Sequence, residues 1–351
     1  MRYTPKISYS PLPEERFEAS ANELWIPFLP FCPANIGHLV WDDYLTLYML
    51  SWAAKPFIEG EFSLRPFWYN PPENPPWATC DWIRLHEGPG HSLPSGYSNR
   101  CLKNNKKWLP QLNGEGNEVI PETTKFAPKQ ANGKLICFPH GGYGITPFAN
   151  QASGHHGWSP NDPIAPSFGR APMMFQFTRL MMKRMHVEDW HPRTLNEIIV
   201  FFSSRSSDRI SIDFGRNARA MNEKLPEIQR VVNQVVGHDR LKVVVKHEVL
   251  ADLSGVDQMK LASSACVYVT AAGGGAFTAQ FLPKGSSIIL YHHASGEHLH
   301  KGRVDWKVFN AASWMRSTYL DHTEAGNIEK LTAMISQEIL NCVFFMDALN
   351  V

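Results

Sequence analysis

The chain has 351 residues, long enough for two domains with cores of their own. Its formal net charge is only +1, with acids and bases interspersed, so no basic footprint for nucleic acid stands out. Aromatics make up 12% of residues, a share that suits sugar or base stacking and a packed core equally.

The six cysteines (Cys32, Cys80, Cys101, Cys137, Cys266, Cys342) are scattered without CxxC spacing, which predicts neither a zinc site nor a disulfide framework. The opening MRYTPKISYSPLPEERFEAS lacks an apolar h-region, and no run reaches the length of a transmembrane helix. With no Asn-x-Ser/Thr sequon either, the expectation is a cytoplasmic protein without a membrane span.

In the first half, Ala34–Leu50 (ANIGHLVWDDYLTLYML) predicts a helix capped by Asn35, with Leu39, Trp41, Leu45, Leu47, Tyr48 and Leu50 as its apolar surface. His38 falls in the first turn, with Asp42 at i+4 on the same face. A histidine at a helix N-terminus is held neutral, and a nearby carboxylate orients it, as a general base requires. The same pair also serves as a plain capping turn. Asp42 and Asp43 point about 100° apart on a helix, a poor grip for one metal ion.

From Glu59 to Pro172 the chain is rich in Pro, Gly, Asn and Trp and reads as a loop-decorated domain, with short strands at Phe67–Tyr69 and Leu135–Phe138. A glycine loop, His140-Gly141-Gly142-Tyr143-Gly144, follows the second strand. The paired His155-His156 has no third ligand at metal spacing and reads as loop.

The second half alternates strand and helix. Phe175–Met185 is helical in pattern, Glu197–Phe202 a strand, and Ser203–Arg209 its loop with Arg205 and Arg209. Asn217–Val236 is a long helix, Leu241–Val245 a strand, His247–Leu253 a loop, and Val256–Ser263 a short helix. Cys266–Thr270 is a buried strand running into Gly273-Gly274-Gly275, and Ala276–Leu282 winds as one or two helical turns. Ser286–Tyr291 is the next strand, and Asn327–Leu340 a last helix with Ile328, Leu331, Ile335, Ile339 and Leu340 as its stripe.

Such alternation means a parallel sheet, with ligands at the carboxyl ends of its strands. That rule puts the Arg205 loop, the His247–Leu253 loop and the glycine turn on one rim. A strand feeding a glycine turn that opens a helix presents backbone N–H groups at a positive helix end, an anion site suited to phosphate. Two arginines nearby would complete a diphosphate site. A glycine turn also serves plain βα geometry, and the arginines plain solvation.

These residues resemble glycosyltransferase family 61. The resemblance rests on Asn35-Ile36-Gly37-His38 with Asp42, on Phe202-Ser203-Ser204-Arg205, and on Val256-Asp257-Gln258. It ends in Ala272-Gly273-Gly274-Gly275, in register with Phe281-Leu282-Pro283. It covers roughly 31–43 and 198–291. Ala272 stands where the family has a histidine, and Thr278 where it has an asparagine.

The resemblance implies a GT-B fold, two Rossmann-like domains facing each other across a cleft. Residues 1–190 would form the acceptor-side domain and 191–325 the nucleotide-sugar domain, with 326–351 returning as a helix to the first. It further implies a metal-independent, inverting hexosyl- or pentosyltransferase that needs no cofactor, using a nucleoside-diphosphate sugar (usually a uridine one) and a glycan or glycoprotein hydroxyl. His38 or Asp42 would be the base. Arg205, Arg209 and the backbone of Gly273, Gly274, Gly275 and Ala276 would hold the diphosphate. His247, Glu248 and Val249 would hold the nucleoside, with His140, Tyr143 and Trp158 near the sugar or acceptor.

Two rivals remain from the residues. A non-catalytic carbohydrate- or nucleotide-binding relative fits the alanine at 272. An NAD-dependent oxidoreductase would also use a glycine turn, but after the first strand of its domain rather than the third.

Overall fold

Short β-branched and aromatic runs become strands, and the apolar-periodic runs between them become helices. The chain is described by a computed structural model over residues 16–18, 21–28, 45–60, 63–68, 135–137, 140–141, 171–187, 197–204, 218–236, 242–292, 309, 312–321, 324 and 326–349.

The first half contains β1 (Arg16–Glu18), β2 (Glu23–Phe28), α1 (Leu45–Ala54), β3 (Ser63–Trp68), β4 (Leu135–Cys137) and β5 (His140–Gly141). All its pairings are parallel: β1 with β4, and β2 between β3 and β5. Parallel neighbours need a crossover between them, and α1 lies in the chain between β2 and β3. The helix expected at Ala34–Leu50 is described from Leu45 and runs on to Ala54, with Leu45 and Leu47 buried.

The second half follows with α2 (Ala171–Arg184), β6 (Glu197–Ser204), α3 (Ala218–Val236), β7 (Lys242–Val249), α4 (Gly255–Ser264), β8 (Ala265–Ala271), β9 (Ser287–His292), β10 (Arg316–Asp321) and α5 (Ile328–Leu349). Its five strands form one parallel sheet in the order β10-β9-β8-β6-β7. Counted from β6 and read from the β7 edge, this is the doubly wound order 2-1-3-4-5. The fold is therefore mixed α/β with a parallel five-stranded sheet, compatible with the Rossmann-like class.

Successive residues of a strand face opposite sides, so each strand feeds two cores. Val200, Phe202, Val267, Val269 and Ile289 pack with α3 and α5. Phe201, Tyr268, Ile288 and Leu290 pack with α2, α4 and a 3-10 helix, Gly274–Phe281. That second cluster also holds Leu24 and Ile26 of β2 and Leu45 of α1, and Tyr48 meets Phe177 of α2 with ring centroids 5.5 Å apart. Through α2, the first half and the sheet share one apolar core.

Two expectations are corrected. β7 reaches Val249, pairing with β6 up to Ser204↔Val249, so His247, Glu248 and Val249 are strand rather than loop. It is an edge strand, where Lys246 and Glu248 can reach water without breaking the ladder. α5 packs on β8, β9 and α3, burying Leu331, Ile335 and Ile339, while Leu340 is 49% exposed.

Finally, Cys266 of β8 and Cys342 of α5 form a disulfide, with Cα atoms 6.1 Å apart and a separation of 76 positions in sequence. Both face the same apolar layer, a proximity that spacing alone does not reveal. Among the described residues, no helix is long and apolar enough to cross a membrane.

Candidate functional site

In a doubly wound sheet the crevice opens where the chain reverses its direction of travel across the strands. Here that point lies between β6 and β8, at the carboxyl ends marked by Ser204 and Ala271. The glycine turn follows Ala271 directly. Gly273 sits at φ 128° and ψ −163°, a region open essentially to glycine alone. A Cβ there would meet nothing within 4 Å, so glycine is required by backbone conformation and not by crowding. At Gly275 an added Cβ would make only ordinary contact, with Leu250 Cδ1 at 3.5 Å.

The Ala276 N–H donates to Gly273 O at 2.9 Å, the first bond of the 3-10 helix. The N–H groups of Gly274 and Gly275 precede that bond, in the position of a helix terminus that receives anions. Ala276 itself is fully buried, with its N–H engaged, so it does not reach the crevice.

A buried hydroxyl network lies beneath the turn. Ser203 Oγ donates to Thr270 Oγ1 at 2.8 Å and shares a 2.7 Å bond with the Tyr268 hydroxyl, which donates to Gly275 O at 3.1 Å. The Tyr268 ring stacks on Phe201 with centroids 5.0 Å apart. Burial pushes the Tyr268 phenol up to about 12, partly offset by hydrogen bonds with Ser203, Thr270 and Thr278. It stays protonated at any physiological pH and serves as a fixed donor. The network thus links β6 to the carbonyl of Gly275 in the turn.

A second wall comes from the end of β7. His247 Nε2 lies 3.0 Å from Ser204 Oγ, and burial holds its imidazole below the ordinary value, so it is neutral near pH 7. The chain then makes a 3-10 turn at Leu250–Asp252 before α4, whose N-cap Ser254 Oγ accepts from the Asp257 N–H at 3.1 Å. Gln258, buried on α4, donates through Nε2 to Leu250 O at 2.6 Å, and Thr278 Oγ1 reaches Gln258 Oε1 at 3.5 Å. Thr278 is fully buried and belongs to this support, not to the crevice surface.

Of the residues expected at the site, the structure brings Gly273, Gly274, Gly275, His247, Glu248 and Val249 to the carboxyl rim. His140 is placed only as backbone, on β5 opposite Leu24. His38, Asp42, Arg205, Arg209, Tyr143 and Trp158 lie outside the described residues.

Ser203, Ser204, Tyr268 and Thr270 were not singled out from the sequence as site residues. Their signal was present in retrospect: hydroxyls at alternate positions of two adjacent apolar strands point to one face and need partners. The described part of the crevice therefore offers donors and a neutral imidazole. Its buried hydroxyls are engaged with one another, which suits binding rather than nucleophilic attack. Among the described residues no group of three or more His, Cys, Asp or Glu could hold a metal ion. Compared with known proteins, the chain matches no family model, and no curated protein matches its sequence.

Proposed function

We propose that the chain is an inverting glycosyltransferase that moves a sugar from a nucleoside-diphosphate donor, a uridine one by preference, to a glycan or glycoprotein hydroxyl. The observation that carries this reading is the glycine turn at the switch point of the sheet. Gly273 holds a glycine-only conformation there, and the amides of Gly274 and Gly275 open the following helix. The diphosphate would lie against those amides, with Arg205 and Arg209 closing on it from the loop after β6. His247, with Glu248 and Val249 beside it, would face the nucleoside from the end of β7.

The reaction needs a base on the acceptor side, and His38 or Asp42 fills that role. The acceptor hydroxyl gives its proton to the base, its oxygen bonds to the anomeric carbon, and the bond from that carbon to the diphosphate breaks. Charge grows on the departing diphosphate, where amides and arginines meet it without a metal ion. Residues 1–190 would carry the acceptor and 191–325 the donor in a GT-B arrangement, with His140, Tyr143 and Trp158 near the sugar.

Turnover tests the reading. The chain is incubated with a panel of nucleoside-diphosphate sugars and glycan acceptors, and release of the nucleoside diphosphate is followed with the product's anomeric configuration. Inverted product with one donor supports transfer. Replacing His38 and Asp42 separately by Ala and Asn then identifies the base, since removing a general base costs about 100- to 10,000-fold in rate. Tight binding of a donor without turnover would favour the non-catalytic relative, for which the alanine at position 272 speaks.

A further inference from the structure

The sheet has a second opening, on the rim opposite the glycine turn. Lys284 and Gly285 precede β9, and Trp314 and Met315 precede β10, so these residues lie at the amino ends of the strands. The glycine turn follows the carboxyl end of the seven-residue strand β8, about 20 Å away along the strand direction. At the amino-terminal rim lies a cavity of about 560 Å3, walled by the start of α2, the turn before β9, the start of β10 and the last turns of α5. That volume is within the range of small-molecule sites.

The two loops that form its floor are tied together. Gly285 N–H donates to Trp314 O, and Arg316 N–H to Ser286 O, both at 2.9 Å. Gly285 has φ +84°, and a Cβ there would collide with the ring of Phe345, so glycine lets that ring close onto the floor. Phe175 and Trp314 meet with ring centroids 5.5 Å apart. Phe344, on the same helix end as Phe345, is 77% exposed. Flat, apolar surface in that amount at one opening suits a planar ligand.

The charge at the cavity has one sign. Lys284 and Arg316 are the charged residues among its described lining, and no carboxylate joins them there. Lys284 is exposed, with its ammonium 5.1 Å from the centroid of the Phe175 ring. Arg316 is held from behind. Its Nε donates to Glu338 Oε2 at 3.0 Å, and that buried carboxylate also accepts from Ser287 Oγ and Thr318 Oγ1. Glu338 thereby fixes one edge of the guanidinium and leaves the Nη groups for another acceptor. Asn341, one of three uncharged polar side chains in the lining with Gln176 and Ser313, donates to the same Glu338 carboxylate at 3.4 Å.

We propose that this cavity binds a small aromatic anion, a planar ring system bearing a carboxylate, sulfonate or phosphate. The rings of Phe175, Trp314 and Phe344 would take the planar part, and Lys284 and Arg316 the anionic group. The site is separate from the carboxyl-rim crevice and does not depend on the transfer reaction proposed for it.

The test uses anilinonaphthalene sulfonate and its uncharged parent, phenylnaphthylamine, titrated by fluorescence against the full chain and three variants at exposed positions, Lys284→Gln, Lys284→Glu and Phe344→Ala. The expected result is saturable binding of one sulfonate per chain. Lys284→Gln should weaken it by about fivefold and Lys284→Glu by about tenfold or more, with the uncharged parent changed less than about twofold. Phe344→Ala should weaken both probes. Sulfonate affinity equal in the wild type and Lys284→Glu, or no saturable binding at all, overturns the proposal.

Discussion

Replacing Gly273 and Gly275 separately by alanine separates backbone demand from steric crowding in the turn. At Gly273 the φ of 128° with ψ of −163° is a conformation alanine avoids, and nothing lies within 4 Å to complicate the cost. The expected loss is the backbone strain itself, about 1–3 kcal/mol. Gly275 lies inside the 3-10 helix, and its added methyl would meet Leu250 Cδ1 at 3.5 Å and Thr270 Oγ1 at 3.9 Å, both ordinary contacts. There the loss of unfolded-state freedom works in favour of alanine, so stability should hold or rise by about 0.5–1 kcal/mol. Urea unfolding of the two variants beside the wild type reads both quantities. A neutral Gly273→Ala, or equal losses at the two positions, would refute the assigned turn geometry.

Other consequences concern the groups that support the two rims. Tyr268→Phe keeps the stack on Phe201 but removes the donor to Gly275 O and the partner of Ser203. It should cost about 1–3 kcal/mol in chemical unfolding; a neutral variant would remove the network from the account. Burial pushes the Glu338 carboxyl up, but hydrogen bonds from Ser287, Arg316 and Thr318 outweigh it and hold the group below its ordinary value. Its contribution is therefore fully present above its unfolded value, about pH 4.3, and is lost as pH falls through the lower folded value. The stability gap between wild type and Glu338→Gln should stay constant from neutral pH down to the unfolded value, about pH 4.3, and shrink from there to the folded value; a gap that grows on acidification contradicts the assignment. The Cys266–Cys342 bond closes a long loop, so reduction or Cys342→Ser should cost about 2–4 kcal/mol. Free thiols at both positions in the protein as purified without reductant, measured by alkylation and mass analysis, would remove the bond from the account.

How far the residues announce this structure depends on what each signal measures. The centre of the second-half sheet is legible because β6, β8 and β9 are largely buried and appear as unbroken apolar runs, with Cys266–Thr270 one residue short of β8 at each end. The glycine turn was readable because the left-handed side of φ space selects glycine. β7 was cut short at Val245 because Lys246, His247 and Glu248 look like loop, although an edge strand tolerates them. β2 was missed altogether: Glu23–Phe28 contains Pro27 and has no turn signal to frame it, and its partners Ser63–Trp68 and His140–Gly141 lie far away in sequence. The same remoteness hid Cys342 from Cys266 and Arg316 from Glu338. Periodicity reports one element at a time, whereas these pairings exist only once the layers are stacked. The arginines and the candidate base pair carry the chemistry of the proposed reaction, and both lie outside the described residues, so their roles rest on the sequence.

The measurement that bears most directly on the central claim is thermal unfolding with UDP, GDP, CMP, their sugars, NAD and S-adenosylmethionine, each with and without EDTA. A ligand at a hundred times its dissociation constant stabilises the native state by about 2.7 kcal/mol, a shift of a few degrees in Tm. The account predicts a shift with one nucleoside diphosphate that survives EDTA and is lost in Gly273→Ala. A shift with NAD alone, or one indifferent to the glycine turn, would contradict it.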